Sequence, residues 1–259
     1  MTACLKSHSQ GQTLVLTISH PEHHNALDAT IGAAAVEALG VAESSDDIRS
    51  VVITGDGLHF SAGLHLQALN EDRQRGAEHN LQNIESHHNW IEAIRTFPKP
   101  VVAAVEGSCA GAGFSLALAC DMVVAAHSSV FVMAYSNVGL SPDGGASWSL
   151  MRALPRATAL QLLMCGERIG AERLQQLGVI NTVSATGEAL TEALALCERL
   201  NARAPNALAS IKELANDAPT VPLHAQLGAE RDHFVRNLHH ANAGEGIAAF
   251  LEKRPANYR

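Results

Sequence analysis

The sequence predicts an α/β fold, and three observations support this prediction. Over about the first 200 residues, short apolar segments typical of buried strands alternate with longer helical segments. The chain of 259 residues is long enough to bury a large core. From about residue 186 the pattern becomes continuously helical, with breaks expected at three prolines and around residues 244–246. We therefore expect a core over residues 1–200 followed by a helical region over residues 201–259.

Within the core, strands and helices alternate. Asp28 is a typical N-cap for an Ala-rich helix that we predict as far as Val41, and a second helix is predicted over residues 81–95, since Pro98 and Pro100 end it. The predicted strands are Thr13–Ser19, residues 51–53, Val101–Val105 and residues 122–125.

A glycine-rich turn, residues 107–113, joins the third of these strands to an apolar helix over residues 114–120. It lacks a complete dinucleotide-binding fingerprint, because the third glycine position of G-x-G-x-x-G is occupied by Leu116. Cys109 lies in a G-x-C-x-G pattern typical of a nucleophile elbow, although a free cysteine is more often a small buried hydrophobe.

Backbone N–H groups at two places are candidate oxyanion donors. One place is the loop around Gly63 and Leu64, and the other is the start of the helix at Ala112 and Gly113. If they converge, each is worth about 3 kcal/mol to a developing negative charge. Farther along, residues 139–147 place Asp143 in a tight turn, where the local pattern favours a helix cap over a reactive carboxylate.

Composition argues against several functional classes. The net charge of −8 and the absence of a Lys/Arg block argue against nucleic-acid binding, and no apolar run approaches the roughly 20 residues of a membrane span. Five cysteines without a C-x-x-C pair argue against a disulfide framework and a cysteine zinc site. The 14 histidines show no H-E-x-x-H spacing, so polar loops are favoured over a metal site. Without an apolar signal segment, we expect a cytoplasmic protein.

Seven segments in a characteristic order together resemble the crotonase family, also called the enoyl-CoA hydratase/isomerase superfamily, over essentially the whole chain. They are residues 21–27 (PEHHNAL), 60–66 (FSAGLHL), 98–107 (PKPVVAAVEG), 110–113 (AGAG), 120–121 (CD), 139–145 (GLSPDGG) and 244–254, from GEG to KR. The resemblance implies a spiral of β-β-α turns whose C-terminal helical region packs between subunits, usually in a trimer or a dimer of trimers.

The resemblance also implies an acyl-CoA thioester substrate, with no cofactor apart from the CoA of that substrate. In similar proteins two backbone N–H groups bind the thioester carbonyl, and these correspond to Leu64 and Ala112, the latter in place of a usual glycine. His65 stands where aspartate is common. The positions that correspond to CoA-binding residues are His24, Asn25, Ala26 and Ala62, together with Phe250 and Lys253, which would reach the CoA of a neighbouring subunit.

The two glutamates with which family hydratases hold water correspond to Ser115 and Tyr135, and neither can act as a carboxylate base. Asp143 falls where several acyl-CoA isomerases of this family carry their acidic base. The surrounding residues 142–145 resemble the isomerases of the phenylacetate-pathway type in particular. This implies a shift of a carbon–carbon double bond through a dienolate, and it reverses the preference for a helix cap. The alternatives are a hydratase with another water-activating group, a CoA thioesterase or Cys109 hydrolase, and a non-catalytic acyl-CoA binder. Candidates for the acyl pocket are Leu66, Leu69, Trp90 and the stretch from Leu81 to Ile94, although packing in a helix core explains the same apolar residues at least as well.

Overall fold

The computed structural model describes residues 3–259, which contain nine strands and eleven α-helices. The strands are β1 (Cys4–Gln10), β2 (Thr13–Ser19), β3 (Ser50–Gly55), β4 (Val101–Val105), β5 (Ser108–Ala110), β6 (Met122–Ala126), β7 (Val130–Val132), β8 (Arg168–Gly170) and β9 (Thr182–Ser184). The helices are α1 (Ala29–Ser44), α2 (Leu66–Asp72), α3 (Ala77–Thr96), α4 (Ala112–Ala119), α5 (Ala146–Ala153), α6 (Arg156–Cys165), α7 (Ala171–Gln176), α8 (Ala189–Asn201), α9 (Pro205–Asp217), α10 (Leu223–Leu238) and α11 (Ala241–Glu252).

The larger sheet has six strands in the order β1-β2-β3-β4-β6-β9. In this sheet β2, β3, β4, β6 and β9 pair in parallel, whereas β1 forms an antiparallel hairpin with β2. Both faces of this sheet are covered, which explains the continuous apolar runs in its central strands. In β3, for example, Val51 and Ile53 belong to the main core, while Val52 packs in a second cluster with Ala193 and Cys197 of α8.

A smaller sheet, in the order β5-β7-β8, forms the second layer. Two isolated parallel β-bridges extend this layer beyond β5. One joins Cys109 to Ser61, and the other joins Leu64 to Leu27. Each strand from β2 to β4 is thus followed by a short extended segment in the second layer and then by a helix. This arrangement confirms the predicted α/β class and its β-β-α turns.

Several predicted elements have the expected boundaries, and two features differ. Asp28 Oδ1 accepts hydrogen bonds from the N–H groups of Thr30 and Ile31 at 3.0 Å, as predicted for the N-cap of α1. The predicted break at residues 244–246 is wrong, because α11 runs through it. The break between α10 and α11 lies at His239 and His240, where His240 Nδ1 accepts from the Asn242 N–H and caps α11. Strand β1 was not predicted.

Helix α9 is tied to the core by an ion pair. Lys212 Nζ lies 2.8 Å from Asp121 Oδ2 and also donates to the Ile94 carbonyl oxygen at 2.9 Å. The proposed division at residue 200 remains a prediction. Within residues 3–259, no helix combines the length and apolar character needed to cross a membrane.

Candidate active site

Two loops of the second layer meet where the oxyanion donors were predicted. Gly63 has a φ of 85°, and a Cβ atom at this position would lie 2.6 Å from the Ala110 carbonyl oxygen and 3.1 Å from the Ala112 nitrogen. A Cβ on Gly113 would lie 2.7 Å from the Ser61 Cβ and 2.9 Å from both the carbonyl oxygen and the Oγ of Ser61. The loop before α2 and the start of α4 are therefore in direct backbone contact, which only glycine at these positions allows.

This contact brings the two predicted donors onto adjoining loops. The Leu27 N–H donates to the Gly63 carbonyl oxygen at 2.8 Å, which fixes the Leu64 loop. Ala112 is the first residue of α4, so its N–H has no acceptor within the helix. Within residues 3–259, neither the Leu64 N–H nor the Ala112 N–H has a hydrogen-bond partner. Two such donors suit a carbonyl oxygen that gains negative charge during a reaction.

Asp143 is held by two neutral hydroxyl groups, one on its carboxylate and one on its backbone carbonyl oxygen. Tyr135 Oη donates to Asp143 Oδ1 at 2.5 Å, while Ser115 Oγ donates to the Asp143 carbonyl oxygen at 3.0 Å and lies 3.1 Å from Tyr135 Oη. Burial raises the pKa of Tyr135, and the neighbouring Asp143 adds to this effect, so the phenol stays protonated and donates. Helix α5 begins after Gly145 without a side-chain cap, so the interpretation of Asp143 as a helix cap is wrong.

Asp143 lies at the junction of two cavities. The outer cavity has a volume of about 780 Å³ and the inner cavity about 80 Å³. Both are lined by Leu64, Leu69, Asn80, Ile84 and Asp143. The outer cavity is also lined by apolar side chains, namely Leu66, Val138, Leu140 and Pro142. A ligand that enters the outer cavity therefore reaches both the carboxylate and the Leu64 loop. Of the acyl-pocket candidates, Trp90 lies instead in the core with no exposed surface.

His87 and His88 of α3 contact the turn that carries Asp143. His88 Nε2 accepts a hydrogen bond from the Gly144 N–H at 3.3 Å. His87 is 6% exposed and lines the inner cavity. Burial lowers the pKa of the His87 imidazole, and the negative charge of Asp143 opposes this shift only partly. The His87 side chain is therefore neutral near pH 7.

Sequence analysis included residue 87 in the stretch of acyl-pocket candidates but assigned His87 no role, because the histidine doublets were weighed only as a possible metal site. A signal was present: His87 follows Ile84 by three residues and precedes Trp90 by three, which places it on the apolar face of the predicted helix.

The predicted CoA-binding positions fall in two separate places. His24 and Asn25 adopt left-handed backbone conformations, with φ of 50° and 57°. The Ala62 N–H donates to the His24 carbonyl oxygen at 2.9 Å, so Ala62 and the segment from His24 to Ala26 lie together beside the Leu64 loop. Phe250, which is 83% exposed, and Lys253 lie at the end of α11, and neither lines the cavities at Asp143.

The buried Asn25 side chain stabilises this segment. Its amide donates to the carbonyl oxygens of Asp56 and His59, and its Oδ1 accepts from the His20 N–H. These bonds hold a backbone conformation that non-glycine residues seldom adopt.

His65 has a structural contact that the sequence did not predict. Its Nδ1 accepts from the Ala68 N–H at 3.2 Å and caps α2. Its ring centroid lies 4.4 Å from that of His23 and 5.8 Å from that of His20. Over the described residues 3–259, no three His, Cys, Asp or Glu side chains are grouped so as to hold a metal ion.

Cys109 is the fully buried middle residue of β5 and forms the bridge with Ser61. Burial raises the pKa of its thiol well above the usual range, which disfavours the thiolate. This environment argues against Cys109 as a nucleophile.

Comparison with known proteins places this geometry in a family. A family model described as enoyl-CoA hydratase/isomerase matches residues 8–259. The chain is 36% identical to a 1,2-epoxyphenylacetyl-CoA isomerase of Escherichia coli, over 100% of this chain and 99% of the relative, and 32% identical to a 2,3-dehydroadipyl-CoA hydratase of the same organism, over 96% of each. The crystal structure of an enoyl-CoA hydratase from Polaromonas sp. JS666 superposes with a TM-score of 0.98 at 64% identity, covering 99% of this chain and 100% of that one.

Proposed function

Because the chain belongs to the enoyl-CoA hydratase/isomerase family, we propose that it is an acyl-CoA isomerase that shifts a carbon–carbon double bond within an unsaturated acyl group. The observation that carries this proposal is Asp143, a carboxylate at the junction of two cavities. The positions that similar hydratases fill with glutamate hold Ser115 and Tyr135, and both side chains are bonded to Asp143.

In the proposed mechanism the thioester carbonyl oxygen accepts hydrogen bonds from the Leu64 and Ala112 N–H groups. Asp143 removes a proton from the carbon next to the thioester or from the allylic carbon, and the electron pair of that C–H bond delocalises into a dienolate. The two N–H groups stabilise the dienolate oxygen. The carboxylic acid of Asp143 then returns the proton two carbons away, so the product has the same mass as the substrate and a displaced double bond.

Hydration is the second candidate function, because the E. coli relative at 32% identity and the Polaromonas structure are both named as hydratases. A hydratase must deprotonate or orient a water molecule. Tyr135 and Ser115 are neutral donors here, and burial raises the pKa of the phenol. These residues therefore favour isomerisation over hydration by the usual pair of carboxylates.

We further propose that CoA binds along the backbone of His24, Asn25, Ala26 and Ala62, and that no other cofactor takes part. Phe250 and Lys253 would contact the CoA of a neighbouring subunit in a homotrimer or a dimer of trimers in the cytoplasm. Large apolar side chains that are exposed on α10 and α11 support such packing; they are Leu223, Leu227, Phe234, Val235, Leu238, Ile247, Phe250 and Leu251. Analytical ultracentrifugation of the purified protein tests this oligomeric state.

The deciding experiment incubates the purified protein with 3-enoyl-CoA and 2-enoyl-CoA thioesters and identifies products by chromatography and mass spectrometry. Asp143→Asn is compared with Asp28→Asn, which alters another carboxylate of the inner cavity but retains an N-cap for α1. An unchanged mass with a moved double bond, lost only in Asp143→Asn, supports the proposal. Full activity of Asp143→Asn overturns it. A gain of one water indicates a hydratase, and CoA binding without product indicates a binder.

A further inference from the structure

His87 is a buried side chain that the mechanism above does not use. Its Nε2 atom has no hydrogen-bond partner within residues 3–259. We propose that His87 determines substrate specificity, by forming a hydrogen bond with an oxygen carried by the acyl group, so that the preferred substrates are oxygen-substituted acyl-CoA thioesters. This inference rests on the proposed function, since it assigns the acyl group of the same substrate to the inner cavity.

His87 lies immediately beside the proposed base. A Cβ atom on Gly144 would lie 2.7 Å from His87 Nε2, so the imidazole packs against the residue that follows Asp143. His87, Asp143 and Leu64 all line the inner cavity. An acyl group whose reacting carbon is within reach of Asp143 is therefore also close to the imidazole.

The other polar side chains of the inner cavity already have partners. Asp28 caps α1, and His65 caps α2. Asn80 donates to the carbonyl oxygens of Asp72 and Gly76, and Asn83 donates to Asp72 Oδ2 at 3.0 Å. Among the described residues that line this cavity, His87 is the one with a buried polar atom that lacks a partner.

The size of the inner cavity limits what can satisfy His87. At about 80 Å³ it is small, so an acyl group that enters it leaves little room for solvent beside His87. A purely hydrocarbon group leaves the imidazole without a partner, whereas an oxygen-bearing group supplies one.

The charge state of His87 defines the chemistry of the partner. The groups that face the imidazole are Asp143 and His88, and burial keeps His87 neutral. A neutral imidazole carries one N–H donor and one acceptor nitrogen, so it pairs with a hydroxyl group through either nitrogen and with an ether, epoxide or carbonyl oxygen through its N–H. A carboxylate at this position would instead be repelled by Asp143.

The test compares trans-3-hexenoyl-CoA with analogues that carry a hydroxyl on carbon 5 or 6. For the wild-type protein we expect kcat/KM for at least one hydroxylated analogue to exceed that of the plain thioester by about tenfold or more. His87→Phe retains a planar ring without polar atoms and should abolish this preference. His87→Gln retains a donor and an acceptor and should restore much of it. Thermal unfolding of each variant confirms that it is folded.

Equal kcat/KM for all substrates in the wild-type protein would overturn the inference, as would a preference that survives in His87→Phe. Calorimetric binding of the same thioesters separates this result from failure of the proposed function. If no thioester is isomerised, tighter binding of a hydroxylated analogue that His87→Phe loses still supports the role of His87. If all are isomerised without discrimination, the proposed function stands and the role of His87 does not.

Discussion

Two partly buried aspartates of this protein have opposite environments. Asp121, which directly precedes β6, accepts hydrogen bonds at 2.8 Å from the Val101 N–H and from Lys212 Nζ, through the same oxygen. Asp143 lines two cavities, and its carboxylate accepts from the neutral Tyr135 phenol. Within residues 3–259, no lysine or arginine forms an ion pair with Asp143.

The different environments of Asp121 and Asp143 distinguish a structural carboxylate from a reactive one. Burial raises the pKa of Asp121, and Lys212 opposes that shift with its own charge, so the pair joins α9 to the starts of β4 and β6. Asp143 is oriented by neutral donors and faces open space, which leaves lone pairs free to accept a proton from a ligand. The cavity and the lack of a cation, more than burial, therefore indicate which aspartate is suited to catalysis.

The strongest test of this comparison replaces each aspartate by asparagine. We expect Asp143→Asn to lower kcat by about a thousandfold, because a positioned base contributes about 10²- to 10⁴-fold. Its resistance to urea should change little, since the Tyr135 phenol can donate equally to an amide oxygen. Asp121→Asn should show the reverse, with kcat per folded molecule retained and stability reduced. Similar kinetic losses in both variants would contradict the distinction.

The next effect concerns the partner of Asp121. Lys212→Met leaves a buried carboxylate without its cation and should lower the free energy of unfolding by about 3 kcal/mol or more. Urea unfolding monitored by circular dichroism measures this loss. Lys6→Met is the matched control, because Lys6 pairs with Asp56 on the surface and should contribute little. A smaller loss for Lys212→Met than for Lys6→Met would show that the buried pair is not structural.

The parts of the fold that the sequence predicted best are those with strong local signals. The strands Thr13–Ser19 and Val101–Val105 have the predicted bounds, because each is a clean apolar pattern between polar residues or prolines. Strand β1 was missed because it is mostly polar and exposed, and its pairing with β2 supplies what its own pattern lacks. Three-residue strands such as β5 are too short to show a period.

In the site, predictability follows the same division. Leu64, Ala112 and Asp143 were identified because each lies in a short motif and the motifs occur in a characteristic order. The bond between Tyr135 and Asp143 and the contact of His87 with Gly144 were not predicted, since they depend on side-chain directions and on a turn meeting a helix distant in sequence. Tertiary contacts of this kind leave no local pattern.

The turn at Asp143 provides a sharper test of how the reactive aspartate is positioned. Gly144 and Gly145 have φ of 56° and 75°, but a Cβ would clash with His87 and Ser115 only at Gly144. Both Gly144→Ala and Gly145→Ala place an alanine in a left-handed backbone conformation, which costs about 1–2 kcal/mol. The difference in stability between the two variants therefore measures the clash alone. We expect Gly144→Ala to be less stable by a further 1–3 kcal/mol or so, and to lose more kcat. Equal effects in urea unfolding and turnover would mean that the turn moves freely.

The smallest expected effect is the pH dependence that His87 contributes. Burial lowers the pKa of His87 in the folded state below its ordinary value of about 6.5, so the unfolded chain binds more protons between those two values. Stability should therefore fall as the pH decreases through about 6.5, and His87→Gln should show a shallower fall. His59 and His65, whose pKa values burial also lowers, are present in both proteins, so the difference in slope belongs to His87. Urea unfolding of both proteins at each pH measures it. Identical slopes would mean that burial does not shift the pKa of His87 between the unfolded and folded chains.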